Sequence, residues 1–132
     1  MPSEVTDSAW LHAKRNAGTY PRSTENCGKW LVFVSASKID EEWGKIKSAT
    51  EEGRLGSSSK VATAARNSKS KVICIYTYDW TDKEDVMQIR QELRQLGVTS
   101  KISYKADEDT HAGKYSRYNI RLSLHDNRNK VL

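Results

Sequence analysis

The spacing of hydrophobic residues changes several times along this chain, and each change marks an element. Gly28-Lys-Trp-Leu-Val-Phe-Val34 is rich in aromatic and β-branched residues and apolar on both faces, which predicts a central strand. Ser35 to Ser37 then interrupt the run, and Ser37 with Asp40 makes an S-x-x-D helix start. In the helix that follows, Ile39, Trp43 and Ile46 share one face and Gly53 supplies the stop. The longest apolar and β-branched segment comes next, in a hairpin over 61–78. Val61 to Ala65 and Val72 to Tyr78 are its strands, and a polar turn carries Arg66, Lys69 and Lys71. Thr81-Asp-Lys-Glu84 reads as a capping box opening a second helix, with Val86, Ile89, Leu93 and Leu96 as its apolar stripe and Gly97 as its end. On that helix Arg90 and Arg94 are expected on a solvated face. Two alternating segments close the pattern, Lys101 to Lys105 and Arg117 to Leu124, the second with Arg117 and Arg121 on its polar side.

The order strand, helix, strand, strand, helix, strand, strand predicts an α+β fold, a mainly antiparallel sheet with both helices on one face. Residues 28–124 form the single domain of this reading. The eight residues 125–132 are expected to be a tail. Residues 1–27 show no clear period and contain Pro2, Gly18 and Pro21, so a partly ordered lead-in is expected, with one helical turn around Ser8 to Lys14. Trp10 and Tyr20 within it are expected to pack against the body.

Charge adds a direction. The formal net charge of +5 is modest, but the positive excess lies in 54–80 and 101–132, while the two helical segments are slightly acidic. With the helices on one face of the sheet, the other face or its rim is left to display Arg66, Lys69, Lys71, Lys101 and Lys105. Cations in such a cluster suit phosphate, and Tyr20 and Tyr104 are the candidates for stacking on a base. The Gly/Ser-rich loop 54–60 lacks the spacing of a Walker phosphate loop.

Other chemistries find less support. The two cysteines, Cys27 and Cys74, have no C-x-x-C spacing and no histidine at a zinc-ligand spacing, so neither a metal nor a cofactor is expected, and Cys74 reads as a small buried hydrophobe. No secretory signal and no run long enough to span a bilayer is visible, which predicts a cytoplasmic protein. The oligomeric state is open.

Taken in order, Gly28-Lys-Trp-Leu-Val-Phe-Val, Ile39-Asp-Glu-Glu-Trp43, Gly53-Arg-Leu-Gly, Lys60-Val-Ala-Thr-Ala, Val72-Ile-Cys-Ile-Tyr-Thr, Thr81-Asp-x-Glu-Asp and Tyr104-Lys-x-Asp resemble the basophilic leukaemia-expressed protein family over roughly residues 28–115. That family is similar in fold to the cap-binding translation initiation factor, which implies a curved antiparallel sheet backed by helices. In the initiation factor an arginine and a lysine five residues later grip the cap phosphates, and Arg66 and Lys71 have that spacing. Its methylated guanine is held between two tryptophans and read by a glutamate. Here Tyr20 is the aromatic nearest the second of these, and Pro21 and Arg22 follow it instead of an acid. The resemblance therefore implies phosphate binding, to a nucleotide or RNA, rather than cap recognition of the usual kind.

Members of the resembled family are sometimes labelled phosphothreonine lyases. That chemistry needs a base, an acid and cationic clamps, and His111, Lys114, Arg117 and Arg121 are the residues that would have to supply them. His111 has no evident orienting partner, so no catalysis is expected. A protein-interaction module is the third reading.

Overall fold

The computed structural model describes residues 1–107. The expected strand over Arg117 to Leu124, the tail after it, and His111, Lys114, Arg117 and Arg121 lie outside the described residues. Among the described residues five strands form one antiparallel sheet: β1 (Trp10–Lys14), β2 (Gly28–Ser35), β3 (Ser58–Ala62), β4 (Ser70–Thr77) and β5 (Ser103–Ala106), in the spatial order β1-β3-β4-β2-β5. The helices are α1 (Ile39–Glu51) and α2 (Lys83–Gln95). Among the described residues no helix is long and apolar enough to cross a membrane.

Both helices pack on one face of the sheet, because alternate strand residues and both helical stripes supply one core. From the strands come Ala13, Trp30, Val32, Val61, Ile73, Ile75 and Tyr104. From the helices come Ile39, Trp43, Ile46 and Ala49 of α1 and Val86, Ile89 and Leu93 of α2, all buried in the same cluster. Trp30 is fully buried at the centre and its indole N–H donates to the Val86 carbonyl at 3.0 Å, which ties the middle strand to the first turn of α2. An indole can be buried here because its one donor is satisfied.

The N-terminal region departs from expectation. Trp10 to Lys14 is a strand, not a helical turn, and it pairs antiparallel with β3 from Trp10↔Ala62 to Lys14↔Ser58. The alternation of Leu11 and Ala13 inward with Trp10, His12 and Lys14 outward is a short period-2 signal, and its partner lies some fifty positions away. Ahead of it a 3-10 turn over Pro2–Glu4 is held to the start of α1, where the Ser3 amide and hydroxyl both donate to the Asp40 carboxylate.

The helix starts also differ. Ser37 does not cap α1: it lies in a 3-10 turn, its hydroxyl paired with that of Ser35. Thr81 bonds back to Asp79, and Asp82 is the residue whose carboxylate caps α2, accepting from the Asp85 amide at 3.1 Å. A carboxylate one residue later does the same job, with its charge at the positive end of the helix dipole. Arg90 is a correction of a different kind. It is completely buried, and its guanidinium donates to the carbonyls of Val98 and Ser100, each at 2.8 Å, pinning the link from α2 to β5. Buried arginines persist where their donors are matched.

Candidate functional site: the open face of the sheet

Paired residues in an antiparallel sheet point to the same side, so the register fixes what the helix-free face carries. One row reads His12, Lys60, Cys74, Leu31 and Ser103. Another runs through Tyr76, Lys29 and Lys105, and Trp10 and Phe33 stand on the same side. Phe33 is 66% exposed, an unusual position for so large an apolar group in a sheet.

The side chains on this face alternate in charge and aromaticity. The Arg66 guanidinium lies 5.0 Å from the centre of the Trp10 ring, and the Lys60 ammonium lies 4.0 Å from the same ring. Lys60 is also 5.9 Å from the Tyr76 ring, and Lys29 is 5.6 Å from it. All four contacts fall within the range of cation–π attraction, worth ~0.5–1 kcal/mol each at exposed sites. The result is a strip in the order Arg66, Trp10, Lys60, Tyr76, Lys29 that crosses four strands. It ends on an ion pair, Lys29 with Asp107 at 2.9 Å, and the Cys27 thiol donates to the same carboxylate at 3.3 Å.

Beside the strip is a shallow cavity of about 290 Å³ lined in part by His12, Cys27, Ser58, Lys60, Tyr76 and Asp107. Burial pushes the Tyr76 hydroxyl up to about 12, and burial also pushes up both thiols, Cys27 with a further contribution from its bond to Asp107. These three groups therefore stay protonated near neutral pH. They offer hydrogen-bond donors and apolar surface to a ligand, not nucleophiles.

The residues singled out from the sequence are only partly brought together. Arg66 joins the strip through Trp10, and Lys105 stands opposite Lys29 on the open face. Lys69 is exposed in the turn, and its carbonyl accepts from the Ala36 amide at 2.8 Å. Lys101 is exposed but precedes β5. Lys71 points the other way: it is 6% exposed and its ammonium donates to the carbonyls of Thr63, at 3.0 Å, and Arg66. With its donors turned onto the backbone, Lys71 braces the hairpin turn and does not face a ligand on the open side.

Neither tyrosine faces the open side of the sheet. Tyr104 is buried at 5% exposure, its ring edge-on to Trp30 and its hydroxyl 2.6 Å from that of Thr77. Tyr20 is on the helix side. Its hydroxyl donates to the Asp85 carboxylate at 2.6 Å and accepts from the Tyr78 amide at 3.2 Å, so it fastens the loop before β2 to α2. The aromatic groups that do face outward, Trp10 and Tyr76, went unselected in the sequence, as did Lys29 and Lys60. Tyr76 and Lys29 were hidden inside runs apolar on both faces, and Trp10 needed its strand to be recognised. The usable signal was the paired alternation of S-S-K-V-A over 58–62 and V-I-C-I-Y over 72–76, which places Lys60 and Tyr76 on one side once the hairpin register is known.

The glycine at 56 positions this site from behind. A Cβ there would collide with the Tyr76 carbonyl oxygen, so only glycine lets the 53–57 loop lie against the end of β4.

Solved structures of eIF4E proteins share this architecture. That of C. elegans eIF4E-3, in complex with the 4E-binding protein Mextli and a cap analog, is similar with a TM-score of 0.56 and 26% identity, covering 66% of this chain and 54% of that one. A schistosome eIF4E complexed with m7GpppA and 4E-BP gives 0.56 at 17% identity, over 70% of this chain and 54% of that one. Ascaris suum eIF4E-3 with m7G cap gives 0.51 at 24%, over 62% and 53%. The chain thus spans about half the length of the structures it matches. A family model described as basophilic leukemia-expressed protein Bles03 matches residues 22–113. Spanning most of the chain and joined to an eIF4E-like five-stranded sheet backed by two helices, that match makes this protein a member of the Bles03 family.

Proposed function

We propose that this protein binds a phosphorylated nucleobase ligand, a nucleotide or RNA, on the open face of its sheet, and that it acts by binding rather than by catalysis. The observation that carries the reading is the strip in which Arg66, Lys60 and Lys29 alternate with the rings of Trp10 and Tyr76. Cations make charge-assisted bonds to phosphate oxygens, and an aromatic face stacks on any base. In the free protein the cations rest on the rings. A ligand replaces each of these contacts with two better ones, base on ring and phosphate on cation. The similar eIF4E structures hold a cap analog, m7GpppA and m7G cap, which supports a nucleotide-related ligand for this fold.

The test is a titration of the protein with GTP, a capped dinucleotide, short RNA and a phosphothreonine peptide at two salt concentrations. Lys60→Ala and Tyr76→Ala are measured alongside. Loss of one stacked ring costs ~1–3 kcal/mol, about 5- to 150-fold in affinity. Wild-type binding should weaken as salt rises, and less steeply in Lys60→Ala. If every phosphorylated ligand binds both variants as well as wild type, the reading fails. Accumulation of a dehydrated peptide would show catalysis and overturn the second half of the proposal. The 4E-binding protein and 4E-BP in two of the similar structures favour a protein partner as the second reading, and salt-independent binding that buries apolar surface would support it.

A further inference from the structure

We infer that the ligand of the open face is a single-stranded polynucleotide laid across the strands, with two unstacked bases on Trp10 and Tyr76 and the phosphate between them on Lys60. The inference rests on the nucleotide reading above and narrows it to a class of ligand.

The order of groups carries the argument. Trp10 stands on β1 and Tyr76 on β4, with β3 between them; Trp10 pairs with Ala62 whereas Tyr76 follows Ile75, the partner of Ser59, so their backbones lie on a diagonal roughly 16 Å apart, while Lys60 at 4.0 and 5.9 Å from the two ring centres holds those centres no more than about 10 Å apart. Stacked bases are separated by only about 3.4 Å. Neighbouring bases that stay stacked on each other therefore cannot lie face-on against both rings, whereas bases splayed apart can. Lys60 comes from the intervening strand and is, among the described residues, the one cation in contact with both rings, at 4.0 and 5.9 Å. That is the position of a phosphate linking two splayed nucleotides. Arg66 beyond Trp10 and Lys29 beyond Tyr76 then meet the flanking phosphates.

A mononucleotide uses one ring and leaves the other half of the strip idle. A duplex keeps its base faces inside the stack and cannot offer them to either ring. The 290 Å³ cavity beside Tyr76 has that phenol ring and several polar side chains in its lining, including the His12 imidazole, Lys60 and Asp107. It suits one base seated against Tyr76 with its edge toward polar groups. The strip also has a polarity of charge: Asp107 closes the Lys29 end and disfavours a further phosphate there, while Arg66 stands at the other end.

The experiment measures fluorescence anisotropy of labelled oligouridylate and oligothymidylate of one to ten nucleotides, a blunt RNA hairpin, and unlabelled UMP and GTP as competitors. Affinity should rise at least tenfold from one nucleotide to three, then climb only slowly, and the hairpin should bind at least tenfold more weakly than a single strand of equal length. RNA and DNA are distinguished by the uridylate and thymidylate arms, and a short-strand preference in either supports the inference. With three phosphates engaged, the slope of log affinity against log salt should be about −2 for the trinucleotide. Trp10→Phe, which keeps a ring at that position, and Tyr76→Ala should each weaken the trinucleotide, while no more than one of them weakens UMP.

Equal affinity for GTP or UMP and for oligomers would overturn the polynucleotide inference and leave the nucleotide reading standing. Tighter binding to the hairpin would also overturn it. Failure of all nucleotides and oligomers to bind would end both. Circular dichroism of each variant separates a lost contact from a lost fold, and Lys60→Ala provides a substitution outside the core.

Discussion

Lys71 separates a structural from a ligand role most sharply. Replacing it with methionine keeps the length of the buried stem and removes the ammonium that donates to the carbonyls of Thr63 and Arg66. Both carbonyls also accept a backbone donor, Thr63 from the Arg66 amide at 3.1 Å and Arg66 from the Ser68 amide at 2.9 Å, so neither is orphaned. What is lost is two hydrogen bonds from a charged donor, ~1.5 kcal/mol each at the lower end of the range. Relief from burying an ammonium offsets part of this, leaving a net destabilisation of about 2 kcal/mol. With a urea m-value of ~1–3 kcal/mol/M for a small domain, the unfolding midpoint of Lys71→Met should fall by about 1 M. Amide exchange at Arg66 and Ser68 should accelerate, because the turn loses its brace. Affinity for an RNA trinucleotide should change far less than in Lys60→Ala. An unchanged midpoint together with a tenfold loss of RNA affinity would refute the reasoning and make Lys71 a phosphate anchor.

Two further outcomes follow from the geometry. Gly56→Ala places a methyl against the Tyr76 carbonyl, a backbone atom that cannot swing aside, so a loss of ~1–3 kcal/mol is expected from thermal or urea unfolding; wild-type stability in this variant would mean that the loop is free to shift. Asp85 titrates above the ordinary carboxylate value, chiefly because of burial, with the Asp82 charge adding and the Tyr20 bond and Arg15 opposing. A raised folded value means that the folded state binds the proton more tightly. The contribution to stability is then fully present below the unfolded value of about 3.9 and is lost as pH rises through the folded one. Asp85→Asn cannot ionise and still accepts from Tyr20. Its stability relative to wild type should therefore improve as pH increases from about 4 toward neutrality, and a relative decline over that range would contradict the assignment.

Much of the fold was legible because the apolar periods were clean. Ile39, Trp43 and Ile46 on one helix and Val86, Ile89 and Leu93 on the other are buried as their spacing requires, and Gly53 and Gly97 adopt positive φ where each helix ends. The hairpin strands were found, with ends displaced: β3 begins at Ser58 and stops at Ala62, since Thr63 turns the chain and its hydroxyl donates to the Ser8 carbonyl. Strand ends depend on such long-range bonds, which leave no local mark in sequence.

The site was less legible for a reason visible in its residues. Lys71 and Lys69 belong to the same turn and look equivalent as letters, yet one ammonium is buried on backbone carbonyls and the other residue is exposed. Tyr104 and Tyr76 each lie in a strand, and one position of parity sends the first into the core and the second to the open face. Sequence by itself determined the helices, the two central strands and the positive charge of the sheet segments, because periodicity and charge are local properties of the chain. Only the tertiary structure decided which cations share a face, and the deciding event was the pairing of Trp10–Lys14 with β3. That contact between distant segments brings an indole between Lys60 and Arg66 and joins the hairpin turn to the sheet. Register in a sheet is a cooperative outcome of pairing and burial, and no single segment encodes it.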